Sequence, residues 1–122
     1  MDKMYTIQQI AELTNLSTHT LRYYEKIGLL KNIKRNESGY RVYCEVDLAW
    51  IEFLIRLRET GMSIQEMIEF SNLRVMGDIT ATERRILLEN HKENVLDHME
   101  QLQKHLRKIE EKIIYYTNLE KE

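Results

Sequence analysis

A chain of 122 residues, 43% hydrophobic and 31% charged, is long enough for one compact domain with a real core and an appendage. A formal net charge of -2 and a pI near 6.1 exclude a general nucleic-acid coat, so any nucleic-acid binding must rest on a local patch. The single cysteine excludes an internal disulfide and a zinc cluster of several thiolates, no apolar run could span a membrane, and MDKMYTIQQ lacks a signal peptide's apolar core, so a cytoplasmic protein is expected.

The absence of proline and the presence of only four glycines favour helices joined by tight connections. Thr6-Ile-Gln-Gln9 is a capping box, and Ile7, Ile10 and Ala11 form an apolar stripe, so a short helix is expected over residues 7–13. Thr14-Asn15-Leu16 reads as a turn, because Asn15 tolerates the left-handed conformation. Ser17 is an N-cap for a second helix, in which Leu21, Tyr24 and Ile27 recur at helical spacing until Gly28 stops it. Two short helices joined this way make a helix-turn-helix, whose second helix enters the major groove of DNA.

Residues 33–35 and 40–43 can then pair as strands around the turn-rich tip Asn36-Glu37-Ser38-Gly39. Between Arg22 and Tyr43 stand six basic residues (Arg22, Lys26, Lys31, Lys34, Arg35, Arg41) against Glu25 and Glu37, a local excess of +4. Cationic donors beside tyrosines are what a phosphate-contacting surface needs. A third helix is expected to begin at Cys44-Glu-Val-Asp47 and to run to Arg58, with Leu48, Ile51, Leu54, Ile55 and Leu57 inward and Gly61 as its stop. Ser63-Ile-Gln-Glu66 is a further capping box, opening a fourth helix with Ile64, Met67 and Ile68 inward. Arg74 to Ile79 shows no period and reads as a linker, and Thr80-Ala-Thr-Glu83 is one more capping box.

From there nothing breaks the helix before Tyr116. Leu88, Lys92, Val95, Met99, Leu102, Leu106, Ile109, Ile113 and Tyr116 are spaced alternately by four and three, and Lys92 is the one polar residue among them. That is a coiled-coil seam over several heptads, which needs a partner helix. His91, His98 and His105 flank it at intervals of seven. Neighbours in that row are about 10 Å apart along one helix, too far to share a metal within one chain. A solvated flank is the common outcome for such a row.

The segments YTIQQIAELTNLSTHTLRYYEKIGLL, ESGYRVY and DLAWIEFLIRLRETGMSIQEM together resemble the MerR family of bacterial transcription regulators. The resemblance covers Tyr5 to Leu73 and implies a mainly α fold. It implies a winged helix-turn-helix DNA-binding domain over residues 1–73, with a small β-hairpin wing and a second wing from the third and fourth helices. It further implies a linker at 74–82, a dimerisation helix over 83–118 forming an antiparallel coiled coil, and a tail at 119–122. Members typically bind, as homodimers, a palindrome in a promoter whose spacer is too long. They bend and untwist it, so that RNA polymerase is served indirectly, through the shape of double-stranded DNA. Asn32 stands where many relatives carry proline. WIEF and GMSI resemble the short regulators of aldehyde and thiol stress, whose aldehyde-responsive type often carries a cysteine in the third helix. Here that segment reads IEFLIRLRE, without one.

On this frame the candidate DNA-binding residues are Thr18, His19, Arg22 and Tyr23 on the second helix, Arg35, Tyr40 and Arg41 in the wing, and Arg58 in the second wing. Arg22 can bond phosphate or a guanine edge, while Thr18 and Tyr23 offer hydroxyls to phosphates. Tyr40 has a competing role packed inside the hairpin, and Arg58, like Arg56, a competing ion pair with Glu52 or Glu59. Cys44, at a helix N-terminus, is a candidate redox sensor or a passive cap in serine's usual place. A small-molecule effector site between the 74–79 linker, Tyr115 or Tyr116 and a partner chain is the other route for a signal. No nucleophile–base pair, glycine-rich phosphate loop, HExxH or multi-cysteine motif is present, so no enzyme, cofactor or metal is expected. A coiled-coil protein-interaction module with a weak nucleic-acid anchor is the alternative function.

Overall fold

The structure, a computed structural model, describes residues 3–122. The elements are β1 (Met4–Thr6), α1 (Ile7–Thr14), α2 (Thr18–Lys26), β2 (Lys34–Arg35), β3 (Arg41–Cys44), α3 (Glu45–Glu59), α4 (Ile64–Val75), a single 3-10 turn at Asp78–Thr80, and α5 (Ala81–Glu120). Two compact units divide the chain, one up to Leu87 and one from Leu88 to Glu122. Among the described residues no helix is long and apolar enough to cross a membrane.

Local chemistry explains each boundary in the first unit. Thr6 and Gln9 close the α1 capping box, the Gln9 N–H donating to Thr6 Oγ1 at 3.1 Å and the Thr6 N–H to Gln9 Oε1 at 2.8 Å. Asn15 takes the left-handed conformation, φ 60, and ends α1. Ser17 Oγ accepts the Thr20 N–H at 3.0 Å, and Ser63 Oγ accepts that of Glu66 at 3.1 Å, capping α2 and α4. Gly28, at φ 92, turns the chain out of α2. Asn32 also has a positive φ of 60, which a proline ring, fixed near −65°, cannot adopt. The wing tip is held by Asn36, whose side-chain oxygen accepts from the N–H groups of Ser38 and Tyr40, both at 3.0 Å.

The sheet has the order β1-β3-β2, all antiparallel, with Tyr5 opposite Tyr43 and Arg35 opposite Arg41. The third strand, β1, is an addition to the expected hairpin. Its three residues are too few to show a two-residue period in sequence. Tyr40 is 72% exposed, so its inward-packed role is set aside.

The core joins Ile7 and Ile10 of α1, Leu21 and Tyr24 of α2, Leu29, Leu30, Tyr43, and Trp50, Ile51, Leu54 and Leu57 of α3 to Met67 and Phe70 of α4. The inward face of α4 is rotated from the expected one. Ile64, the first residue of α4, is 40% exposed, and the buried residues of the helix are Met67, Phe70 and Ser71. Trp50, Phe53 and Phe70 form an aromatic cluster with centroids 5.8–6.3 Å apart, and the Arg74 guanidinium lies 4.5 Å from the Trp50 ring centroid. Burial there lowers the Arg74 pKa from its ordinary value.

The stretch expected as a linker is more ordered than its sequence suggested. α4 continues through Arg74 and Val75, and Gly77 at φ 90 reverses the chain. The Thr80 hydroxyl, expected to cap α5, faces back instead, 2.7 Å from the Leu73 carbonyl and 2.9 Å from that of Gly77. Thr80 is buried, and its oxygen accepts from Arg84 Nε at 3.1 Å. The hydroxyl thus reaches a carbonyl in the last turn of α4 that also accepts the Met76 N–H at 3.1 Å.

In the second unit α5 is unbroken and its apolar seam is bare. Met99, Leu102, Leu106, Ile109, Ile113 and Tyr116 are each more than half exposed, while Leu88 and Val95 are half-buried. His98 and His105 are exposed, and His91 is buried.

Candidate nucleic-acid interface

α2 presents two different faces. Leu21 and Tyr24 are buried, whereas His19, Arg22 and Tyr23 are exposed and Thr18 is half-buried. Side chains three and four apart on a helix are neighbours, so His19, Arg22 and Tyr23 form one solvent-facing patch. Tyr23 is 49% exposed, and a tyrosine hydroxyl is a common donor to backbone phosphate.

Beside this face lies a groove of about 490 Å³ that gathers residues distant in sequence. The start of α1 supplies Ile7 and Gln8, α2 supplies Arg22, and the wing supplies Arg35, Tyr40 and Arg41. The helical ladder of α1 gives no partner to the N–H groups of Ile7 and Gln8, so the groove also meets the positive end of that helix. Three guanidiniums and a helix N-terminus make a surface suited to an anion such as a backbone phosphate.

The wing is tied to α2 through one carboxylate. Arg41 Nε donates to Glu25 Oε1 at 2.9 Å, and Arg35 lies 4.0 Å from Glu25 Oε2. Arg35 also donates to the Gly39 carbonyl at 2.9 Å, closing the wing tip. The Arg41 side chain is 22% exposed and that of Arg35 51%, so Arg35 is the more accessible cation. Behind them Tyr43 is fully buried, with a hydroxyl that has no hydrogen-bond partner among the described residues. Burial, with the Glu25 charge adding, raises its pKa above the ordinary 10.0.

Arg58 sits in the last turn of α3 and donates to the Tyr24 hydroxyl at 2.7 Å. That bond raises the Arg58 pKa, and it links the second wing to the buried side of α2. The hydrogen-bond partner of Arg58 is thus Tyr24, with the Glu59 charge adding to the rise. Cys44 caps α3 and is half-buried. Its N–H donates to Asp47 Oδ2 at 3.0 Å and its thiol to the same oxygen at 3.3 Å. Asp47 thus closes the start of the helix on the Cys44 N–H, and the thiol faces the same carboxylate.

Sequence reasoning passed over Glu25, although it is the one acid inside the basic second helix. It also missed the Leu29 carbonyl, which accepts from Trp50 Nε1 at 2.9 Å and from Ser71 Oγ at 3.1 Å. A backbone acceptor leaves no mark in a sequence.

Comparison with known proteins matches this arrangement. The family profile described as MerR HTH family regulatory protein matches residues 5–72. The chain is 38% identical over 112 residues to an uncharacterised HTH-type transcriptional regulator of Haemophilus influenzae, covering 92% of this chain and 83% of that protein. It is 40% identical over 91 residues to the HTH-type transcriptional regulator AdhR of Bacillus subtilis, covering 75% of this chain and 65% of that one. Among solved structures HiNmlR, a MerR family regulator lacking the sensor domain and bound to promoter DNA, aligns with a TM-score of 0.88 at 37% identity, over 95% of this chain and 92% of that chain. With a family match over more than half its length and a relative this similar along most of it, the chain belongs to the MerR family of helix-turn-helix transcriptional regulators.

Proposed function

We propose that this protein binds a palindrome in promoter DNA as a homodimer and distorts the spacer, so that RNA polymerase responds to the altered DNA shape. The observation that carries this reading is the apposition of the exposed His19–Arg22–Tyr23 face to the groove holding Arg35, Tyr40 and Arg41. The α2 face enters the major groove, with Arg22 its base-reading residue and Thr18, His19 and Tyr23 beside it. The wing residues take the adjoining backbone, and Arg58 adds a contact from the second wing. The seam of α5 from Leu88 to Tyr116, bare from Met99 onward, is covered by a second copy in antiparallel orientation. Two bound domains fixed at one spacing can impose a bend on the DNA between them, with binding energy meeting the cost of deformation. The protein acts in the cytoplasm as a binding device, without chemistry of its own. The promoter DNA bound by HiNmlR, which is similar along most of this chain, supports the choice of ligand.

The test uses a duplex selected by the wild-type protein from a random-sequence pool, and the same duplex scrambled. Arg22→Ala is expected to weaken binding to the selected duplex by about 1–3 kcal/mol while affecting the scrambled one much less. An equal loss on both would reassign Arg22 to phosphate. Binding without sequence preference or salt dependence would instead favour a coiled-coil interaction module.

A further inference from the structure

Two arginines of the groove that suits a phosphate are already paired with an anion outside its lining. Glu25 lies on α2 three residues after Arg22, and its carboxylate engages both wing arginines, Arg41 at 2.9 Å and Arg35 at 4.0 Å. Arg22, Arg35 and Arg41 all line that groove. A carboxylate and a backbone phosphate compete for the same guanidinium forks. The base-reading residue and the internal anion also share one rigid helix, so seating Arg22 on a base fixes where Glu25 stands relative to the DNA backbone.

We propose that Glu25 is a positioning residue for sequence discrimination, an internal carboxylate that aims Arg41 and Arg35 and repels a phosphate arriving out of register. The inference rests on the DNA-binding reading above. On a cognate site α2 is fully seated, and the wing arginines meet a phosphate in the direction in which Glu25 holds them. On other sequences α2 is not seated, and the carboxylate keeps its hold on the arginines. Removing its charge frees Arg41 to take any phosphate within reach. Non-cognate DNA then gains more than cognate DNA, which already had its arginines aligned.

The experiment compares wild type, Glu25→Gln, Glu25→Asp, Arg41→Ala and the Glu25→Gln/Arg41→Ala pair on the selected and scrambled duplexes over a salt series. Glutamine keeps the shape and an acceptor oxygen for Arg41, so the fold is retained, and thermal unfolding run in parallel checks this. Glu25→Gln is expected to tighten binding to the scrambled duplex roughly 5-fold, the worth of one charge at contact distance in water. Binding to the selected duplex should tighten less, so discrimination falls. The salt slope on the scrambled duplex should steepen by about 0.9, as one more phosphate is neutralised. Glu25→Asp, which keeps the charge, should restore discrimination. In the Arg41→Ala background the effect of Glu25→Gln on discrimination should be largely lost. Equal tightening on both duplexes would reduce Glu25 to a background charge and overturn the proposal. Weakening on both would make it a structural staple, and no change on either would remove it from the site. Each of these results leaves wild-type recognition intact. A wild-type protein with no salt-dependent duplex binding would bring down the DNA-binding reading and this inference with it.

Discussion

Tyr43 places a phenol where nothing receives it. The residue is fully buried opposite Tyr5 in the β1–β3 pair, and its hydroxyl has no partner among the described residues. A buried hydroxyl without a hydrogen bond costs about 1–3 kcal/mol, while the ring itself fills core volume. Tyr43→Phe removes only the oxygen, so stability at neutral pH should be unchanged or higher by about 1 kcal/mol. The same burial sets a pH dependence. The folded-state pKa lies above the ordinary 10.0, because burial disfavours the phenolate and the Glu25 charge adds to this. Stability is therefore fully present below pH 10.0 and is lost as pH rises from there through the folded value. The Phe variant should lose less over that window. Tyr5, raised mainly by its hydrogen bond to Glu45, leaves a residual slope in both proteins. Urea unfolding at neutral pH and at several alkaline values measures both effects. A clear loss of stability in Tyr43→Phe at neutral pH would mean that the hydroxyl does have a partner, such as an ordered water.

At the level of elements, the second wing is fastened to the recognition helix by one backbone oxygen as well as by the Arg58–Tyr24 bond. The Leu29 carbonyl, just past the end of α2, accepts from Trp50 of α3 and from Ser71 of α4. The N–H groups of Leu29 and Leu30 in turn donate to Tyr24 O at 2.8 and 3.2 Å, so the carbonyl is held in place by α2 itself. Ser71→Ala should cost about 1 kcal/mol, since Trp50 still serves the oxygen. Trp50→Phe should cost more, through lost packing as well as the lost N–H. The double variant should be destabilised beyond the sum, because the buried carbonyl then has no partner. Additive losses in denaturant melts would show that the two donors act independently. Little of this clasp was legible in the sequence. The helices and the wing were, because caps, stop glycines and apolar spacing are local signals, and they placed α1, α2, α3 and the tip at Asn36–Gly39 near where they lie. Three things depended on partners far along the chain and left no local trace. β1 is strand only because β3 lies beside it, the face of α4 is set by what it packs on, and Thr80 turns to a carbonyl seven residues earlier. The exposed residues of α2 followed from its amphipathic spacing. Glu25, by contrast, read as one more charge on a solvated face until the fold brought Arg41 against it.

At the scale of the whole molecule the question is what covers α5. A helix of 40 residues is about 60 Å long at 1.5 Å per residue. Its seam leaves Met99, Leu102, Leu106, Ile109, Ile113 and Tyr116 each more than half exposed, a continuous apolar stripe of the kind that marks an interaction surface. Knobs at alternating spacings of four and three fit a like helix, and the proposed occupant is a second copy of this chain. Glutamates at both Leu102 and Leu106 would put charges into that seam with no counterion, and each would cost several kcal/mol to bury. The variant should sediment as a monomer at concentrations where the wild type is a dimer. It should also bind a full palindrome no better than a half-site, because the two recognition helices are no longer held at one spacing. Charge alone must be separated from position. Lys104→Glu/Lys108→Glu places glutamates on the same stretch of helix but outside the seam, where both lysines are well exposed and their ion pairs with Glu100 and Glu111 contribute little. That control should remain a dimer. If the seam variant also sediments as a dimer, the stripe from Leu88 to Tyr116 is not the interface, and the two-copy reading of promoter binding loses its support.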